Sequence, residues 1–387
     1  MMPTRIISQC FLLPILVSIV LSFTLVISPT IGEAAPFLDD EVLVGRKNGQ
    51  IDVYRNGQLN RSLSINNGIG YTVRGLCFST NRTFLYVTSA KYEESTDKYY
   101  SRISRFDNNG QLVNNIFIPD PPSNQPPYSC ITDAAGYLYV EFRKHADKNP
   151  LVRKYDATGR QINEFIVPTD ISGYGSIDLL ADQRTLIYVT STRIRRFDLM
   201  NNAPLPDLVN LSSNSIDNCG AVRARQNGEI WAICGKVVGG GSHYNVLRLK
   251  ADGQTISTYS SLRFLSSTAA KFSPDQLSFW AINRASSTQP WLVTKLGIEA
   301  GGQAATDIGA DMYAPPSFAV YGEYTAATTQ CSDGIDNDSD GQVDFPNDVY
   351  CNSPGQAYET RCWKVPFFNR VVCLGTLKRL LRPFFSQ

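Results

Sequence analysis

The sequence predicts an all-β fold, a six-bladed β-propeller followed by a small disulfide-bonded acidic loop. Three observations support this prediction. Tyr, Phe and Gly are plentiful in a chain that is 43% hydrophobic, and long amphipathic patterns are missing from its middle, which favours strands and turns. A turn phrase recurs about every fifty residues, a period typical of propeller blades or solenoids. A strand pattern rich in aromatic residues recurs with the same period.

The turn phrase is a basic–aromatic pair followed by Asp or Asn and then Gly. The pair would end one strand, and the Asp/Asn-Gly would turn the chain into the next strand. From residue 54 onward, successive copies are about 52, 49, 42, 52 and 47 residues apart. The copies lie at 53–57, 105–110, 154–159, 196–198, 248–253 and 295–296.

A second pattern, an aromatic-rich β run, lies ahead of each full copy of the turn phrase. Its copies lie at 84–87, 137–140, 186–189, 229–232 and 277–280. Short apolar strands precede them at 75–78, 129–132, 177–180, 221–224 and 269–272. Each unit therefore holds about four strands, which is the content of one propeller blade.

These units predict a propeller domain over residues 40–325. Five blades fall at about 73–118, 128–167, 176–210, 219–259 and 268–308. The sixth would combine strands at 42–44, 51–54 and 59–65 with one at 317–321, so that pairing of N- and C-terminal strands closes the ring and removes an open edge. The alternative is a non-repeating array of β-sandwiches, but the shared register of the two patterns favours the propeller.

The chain resembles six-bladed β-propellers of the NHL and gluconolactonase-like type. The Arg-Phe-Asp-x-x-Gly phrase at 105–110 and the Leu-Tyr-Val phrases at 85–87 and 138–140 carry the resemblance, which covers about three quarters of the chain. These are packing and turn residues, so they imply a fold and no chemistry. A gluconolactonase-like enzyme would imply a divalent metal in the channel and a Glu near the chain start. Glu41 is present there, without the Glu-Gly-Pro-x-Trp context of that group.

The N-terminus is typical of a secretory signal peptide over residues 1–34. Arg5 supplies a positive charge, an apolar run follows at 11–27, and small residues precede a preferred cut after Ala34. The alternative is an uncleaved anchor helix, for which the run has about the minimum length.

Removing the signal leaves eight cysteines, an even number that fits disulfides in an exported chain. Proximity favours Cys331–Cys351 and Cys362–Cys373, a hairpin would join Cys219 to Cys234, and Cys77 and Cys130 remain. The sequence does not determine the connectivity. It predicts a secreted, periplasmic or cell-surface protein.

The stretch from Cys331 to Cys351 contains six aspartates and no Lys or Arg. Carboxylates at alternate positions converge on a cation when the chain winds around it, and Ca²⁺ takes several such oxygens. Gly341 permits a sharp turn, but Asn347 stands at the twelfth position, where an EF-hand needs a bidentate Glu. The predicted metal ligands are Asp336, Asp338, Asp340, Gln342 through its backbone carbonyl, Asp344 and Asp348, with Asp333 a further candidate.

This stretch is also similar to thrombospondin type 3 repeats and to Cys-x-Asp-Gly-x-Asp-Asn-Asp repeats of exported bacterial proteins. The resemblance implies a structural Ca²⁺ bound within residues 331–351. An acidic disordered linker is the alternative. The tail at 352–387 mixes basic and apolar residues, so it could form an interfacial helix that makes peripheral contact with an anionic membrane, or pack against its own domain.

The charge balance of the chain and its candidate site residues limit the classes of function that we expect. The balance of 36 basic and 35 acidic residues gives no reason to expect a nucleic-acid partner. His145 and His243, the chain's two histidines, are expected in exposed loops too far apart for a metal or acid–base site. Candidates for the channel mouth are Tyr71, Arg74, Tyr128 and Tyr174.

The sequence therefore predicts an exported binding or scaffold protein with a structural Ca²⁺ loop. A protein or glycan would bind at the propeller face, because aromatic and polar groups suit such ligands. The alternative is a metal-dependent lactonase or hydrolase of the gluconolactonase-like type.

Overall fold

The computed structural model confirms an all-β, six-bladed propeller. It describes residues 35–323, apart from gaps at 66–69, 120–124, 144–150, 169–175, 213–215, 217, 226–227, 239–240, 261–268, 275–276, 284–288, 298–303 and 310–316. It also describes residue 342 and the backbone of 362–365 and 370–373. Within these residues the regular elements are strands. The same residues contain no helix long and apolar enough to cross a membrane.

The strands follow one another in antiparallel groups of four. The first three blades hold β1 (Val42–Gly45), β2 (Gln50–Arg55) and β3 (Gln58–Ser64); β4 (Thr72–Phe78), β5 (Phe84–Glu93), β6 (Lys98–Asp107) and β7 (Leu112–Pro119); and β8 (Pro127–Thr132), β9 (Leu138–Phe142), β10 (Leu151–Tyr155) and β11 (Gln161–Ile166). Blade 4 holds β12 (Ile177–Leu179), β13 (Thr185–Val189), β14 (Arg193–Asp198) and β15 (Ala203–Asn210).

The last blades repeat the pattern. Blade 5 holds β16 (Asn218–Ala224), β17 (Ile230–Val238), β18 (Gly241–Leu249) and β19 (Thr255–Ser260), and blade 6 holds β20 (Ala270–Phe272), β21 (Ser278–Asn283), β22 (Leu292–Gly297) and β23 (Ala304–Gly309). β24 (Phe318–Val320) pairs with β1 in the sheet of blade 1, with Val42 opposite Val320. β25 (Cys362–Val365) and β26 (Arg370–Cys373) form a separate sheet.

The hydrophobic core lies between the blades and runs around the whole ring. Six buried clusters each combine residues of two neighbouring blades, including one that joins blade 6 to blade 1. The strands β4, β8, β12, β16, β20 and β24 contact one another in ring order, so they line the central channel. We call the face where these six inner strands begin the front face and the face where they end the back face.

The turn phrase forms hairpin turns on the back face. Asp107 Oδ1 accepts hydrogen bonds of 2.9 Å from the backbone N–H groups of Asn109 and Gln111, and Gly110 has a φ of 79°. A Cβ at Gly253, in the matching turn of blade 5, would lie 2.3 Å from the carbonyl oxygen of Leu208 in blade 4. The turns that carry this glycine therefore pack closely against the preceding blade.

Among the described strands, the two middle strands of a blade are longest in blades 2 and 5. Residues 91–100 extend the hairpin of β5 and β6, where the rings of Tyr92 and Tyr99 lie opposite each other with centroids 5.0 Å apart. Such cross-strand aromatic pairs stabilise the pairing of the two strands in a hairpin. Residues 235–244 likewise lie largely in β17 and β18, with His243 opposite Lys236, so the expected loop position of His243 is wrong.

Two predicted disulfides are present. Cys77–Cys130 joins the inner strands of blades 2 and 3, and Cys219–Cys234 joins β16 to β17. Cys362 lies opposite Cys373 in the backbone register of β25 and β26, whereas Cys331 and Cys351 lie outside the described residues.

Of the tail, for which an interfacial helix was one of two alternatives, residues 370–373 form a strand. The predicted signal peptide at 1–34 lies outside the described residues.

Candidate functional site

The back end of the channel holds a buried network of two cations and two carboxylates. Arg223 on β16 pairs with Asp178 on β12 at 3.2 Å and with Glu323 at 2.6 Å, and Lys271 on β20 pairs with Glu323 at 3.2 Å. Burial raises the pKa of Asp178 and lowers the pKa of Lys271. The two positive and two negative charges balance. The ion pairs connect the inner strands of three blades to the segment after β24.

A small cavity adjoins this network. It has a volume of about 20 Å³ and is lined by the Cys77–Cys130 disulfide, Arg223, Lys271 and Glu323, among others. A cavity of that size holds about one water molecule. The space is therefore suited to solvating the network and too small for a substrate.

Glu41 does not have the role that a gluconolactonase-like enzyme would give it. Its carboxylate is fully buried and accepts hydrogen bonds from Arg55 Nε at 3.1 Å and Asn60 Nδ2 at 3.2 Å. The backbone N–H of Leu38 donates a third, at 3.1 Å. These partners occupy both carboxylate oxygens, so Glu41 ties the start of β1 to β2 and β3.

The structure does not test the predicted metal ligands. Asp336, Asp338, Asp340, Asp344 and Asp348 lie outside the described residues, and so does Asp333. Gln342 is partly buried and lies in no regular element. Within the described part of the chain, no group of three or more His, Cys, Asp or Glu residues could hold a metal ion.

The front face carries a cluster of arginine and tyrosine side chains at blades 2 and 3. The guanidinium groups of Arg74 and Arg143 both lie over the ring of Tyr128, at 4.9 and 4.5 Å from its centroid. Arg74 also lies 5.4 Å from the ring centroid of Tyr99. Cations and aromatic rings attract one another at such distances. We call Arg74, Tyr99, Tyr128 and Arg143 the Arg–Tyr cluster.

β-Bulges position the inner-strand members of the Arg–Tyr cluster. The register of β4 against β5 shifts between Val73 and Gly75, which flank Arg74. The register of β8 against β9 shifts between Pro127 and Ser129, which flank Tyr128. A bulge redirects a side chain and is common beside functional sites. The same irregularity in two neighbouring blades therefore directs Arg74 and Tyr128 together.

The second arginine of the cluster holds a carboxylate of the chain. Arg143 Nε and Nη2 donate to the two carboxylate oxygens of Glu141, at 2.7 and 3.2 Å. Ser129 Oγ donates a further hydrogen bond of 2.7 Å to Glu141. This bidentate arrangement is the strong form of an arginine–carboxylate pair, and it fixes Arg143 over Tyr128.

Arg102 lies on β6, at the same end of blade 2. It is 6% exposed, and its guanidinium carbon lies 3.9 Å from the ring centroid of Tyr71. Its Nε and Nη2 are buried and have no hydrogen-bond partner among the described residues. Burial lowers the pKa of Arg102. Ser89, directly opposite Arg102 on β5, has a buried hydroxyl that also lacks a described partner.

Sequence reasoning found part of this face. Tyr71, Arg74 and Tyr128 lie near the starts of inner strands, while Tyr174 and His145 fall outside the described residues. Tyr99, Arg102 and Glu141 were missed, since each lies within a strand and reaches the site through cross-strand packing. Alternation in β6 marks Arg102 as facing a neighbouring blade, but no sequence pattern shows that it lacks a carboxylate.

The fold and the front face define a disulfide-bonded β-propeller that carries the Arg–Tyr cluster on one face. No protein-family model matches the sequence. The search of curated proteins likewise gives no match.

Solved structures share the fold. A chain of a nidogen/laminin complex matches with a TM-score of 0.51 at 9% identity, covering 72% of this chain and 98% of that one. A hydrazine synthase of Kuenenia stuttgartiensis matches at 0.42 and 16% identity, covering 62% and 66%. The calcium-binding protein regucalcin of Agrobacterium tumefaciens matches at 0.39 and 16% identity, covering 55% and 82%. At 9% identity the likeness to the nidogen/laminin chain shows the fold alone.

Proposed function

We propose that this chain is an exported binding module that holds a protein or glycan at the front face of its propeller. The observation that supports this most directly is the Arg–Tyr cluster, in which Tyr128 lies under two guanidinium groups. Tyrosine and arginine are the side chains that contribute most to binding at protein interfaces, and tyrosine rings also stack on sugars. A β-bulge beside Arg74 and another beside Tyr128 lie at the positions from which these two side chains meet.

The contacts of the charged groups in the channel favour binding over catalysis. Asp178 and Glu323 are engaged by Arg223 and Lys271, and Glu41 is engaged by Arg55. A metal-dependent lactonase would use carboxylates that are available to a cation. We therefore place the lactonase or hydrolase second.

The proposal includes export and calcium. The Cys77–Cys130 and Cys219–Cys234 disulfides are typical of proteins from an oxidising compartment, which supports a secreted, periplasmic or cell-surface location. Closely spaced aspartates at 331–351 support a structural Ca²⁺ site beside the propeller. The nidogen/laminin match comes from a complex between proteins, which is compatible with a protein ligand.

A binding screen with matched variants tests the proposal. The purified mature protein would be applied to arrays of secreted proteins and of glycans, beside Tyr128→Ala. The matched control is Tyr137→Ala, because Tyr137 also lies under a cation, Lys154 at 4.0 Å, but on the back face. We expect a ligand whose affinity falls at least tenfold in Tyr128→Ala and stays unchanged in the control. Ligands that bind all three proteins equally would contradict a front-face site.

A further inference from the structure

We propose that the front face binds a carboxylate of an acidic segment of a protein partner, and that Arg74 is its ion-pair partner. This inference rests on the proposed binding function and names the ligand chemistry. The comparison of the two arginines over Tyr128 carries it. Arg143 holds Glu141 in a bidentate pair, whereas the described residues offer Arg74 no carboxylate and no hydrogen-bond acceptor.

The local structure holds Arg74 ready for such a ligand. Its Nε is buried without a partner, and the residue as a whole is half-buried beside Tyr99 and Tyr128. A buried polar group without a hydrogen bond is costly, and an arginine meets a carboxylate with two parallel bonds. A ligand carboxylate would thus satisfy a group that the described residues leave unsatisfied.

Arg102 adds a second cation without a counter-charge at the same end of blade 2. Its buried Nε and Nη2 lack described partners, while nearby Lys91 is paired with Glu93 at 3.4 Å. Two guanidinium groups without a described counter-charge attract an anion to their immediate surroundings, while Glu93, Glu94 and Asp97 keep the tip of the adjoining hairpin acidic. Charge complementarity therefore favours an acidic ligand.

The side chains around Arg74 favour a protein over a sugar acid. Arginine and tyrosine are enriched in the binding centres of protein interfaces. Tyr92, 45% exposed on the hairpin of β5 and β6, pairs with Tyr99 and extends the aromatic surface from the cluster. A protein partner can place one carboxylate on Arg74 and pack other side chains on these rings.

A peptide-binding experiment tests the inference. A fluorescent decaglutamate peptide, its decaglutamine analogue and an oligogalacturonate would be titrated into wild type, Arg74→Gln and Arg74→Lys. The charge-matched control is Arg160→Gln, whose side chain is 80% exposed in a back-face turn. We expect decaglutamate to bind in a salt-sensitive manner, at least tenfold more weakly in Arg74→Gln and unchanged in the control. Arg74→Lys should be intermediate, because lysine keeps the charge and loses the bidentate geometry.

Each other outcome has a definite meaning. Equal binding of decaglutamate to wild type and Arg74→Gln, or no binding of decaglutamate at all, overturns the inference. Binding of the oligogalacturonate alone overturns the choice of a protein partner. If a ligand from the array depends on Tyr128 and not on Arg74, the proposed function stands and this inference fails. If no ligand depends on either residue, both fail. Melting curves would show that each variant is folded.

Discussion

Glu323 accepts a 2.6 Å hydrogen bond from Arg223 Nη2 inside the channel, although 100 residues separate the two in sequence. Glu323 follows β24, the strand that pairs with β1 in blade 1, and Arg223 belongs to the inner strand of blade 5. Glu323 Oε1 also accepts a hydrogen bond from the backbone N–H of Phe272 in blade 6. One carboxylate therefore connects the late segment of the propeller to two other blades.

Replacing this carboxylate should destabilise the propeller strongly. In Glu323→Gln, Lys271 loses its carboxylate partner and Arg223 keeps only Asp178, so one buried positive charge is left without compensation. Breaking a buried pair by removing one partner costs about 3–5 kcal/mol. Urea unfolding should show a correspondingly lower midpoint.

An exposed pair provides the control for Glu323. Glu93→Gln removes a carboxylate from the surface pair with Lys91, in which both side chains are more than a third exposed, and such pairs contribute less than about 1 kcal/mol. Equal midpoints for Glu323→Gln and Glu93→Gln would show that the channel network does not stabilise the ring.

The two disulfides should differ in their contribution to stability. Cys77–Cys130 closes 53 residues of sequence separation and Cys219–Cys234 closes 15. A longer loop restricts the unfolded chain more, so the chain-entropy treatment gives about 4 kcal/mol for the first and about 3 kcal/mol for the second. The double variants Cys77→Ala with Cys130→Ala, and Cys219→Ala with Cys234→Ala, would be compared by urea unfolding. A larger loss in the second variant would contradict the loop-length argument.

Lowering the pH should remove the stabilisation that the ionised carboxylate of Asp156 gives to a turn in blade 3. The side-chain hydrogen bond from Thr158 is the largest cause that lowers the pKa of Asp156 to about 2, whereas the unfolded chain titrates near the ordinary value of about 4. Because the folded-state pKa is depressed, the stabilisation is present above pH about 4 and is lost as the pH falls towards about 2.

The melting temperature of wild type minus that of Asp156→Asn measures this contribution. The difference should be constant from pH 7 to pH 5 and shrink steadily between pH about 4 and about 2. A difference that does not change with pH would mean that the ionised carboxylate of Asp156 contributes nothing to the turn.

The repeating part of the fold was predictable because each blade solves the same local problem. Asp107 and Gly110 mark one turn, and the same types recur as Asp156 and Gly159, since the turn needs an acceptor for backbone N–H groups and a residue with positive φ. The alternation in strands likewise follows from a core between blades. These requirements act over a few residues, so the sequence shows them directly.

The front face was less predictable because its contacts are long-range. Arg74 and Tyr128 were recognised only by residue type, and their approach depends on bulges in two separate blades. Glu41 matched the metal-holding Glu of gluconolactonase-like enzymes only by its place near the chain start, and its partners in the structure, Arg55 and Asn60, lie on other strands. Burial and pairing of this kind are set by tertiary packing, which no local pattern reports.

Calcium should bind to the loop at 331–351 with the weak affinity of an extracellular site. The aspartates supply oxygen ligands, and the missing bidentate Glu at the twelfth position removes two of the usual contacts. Titration calorimetry on the full mature protein should give a dissociation constant of about 10⁻⁴–10⁻³ M. Asp336→Asn combined with Asp338→Asn should abolish the binding heat, because it removes two of the converging carboxylates.

A charge-matched variant separates a calcium site from general attraction to an acidic protein. Asp97→Asn with Asp252→Asn removes the same number of charges from turns of the propeller, so a specific site should bind Ca²⁺ as in wild type. If both double variants weaken binding equally, the loop acts only as an acidic linker.

Bound Ca²⁺ should also protect residues 331–351 from proteolysis, since a cation held by several carboxylates fixes the backbone around it. Cleavage within this loop at the same rate with and without Ca²⁺ would show that the ion does not order it.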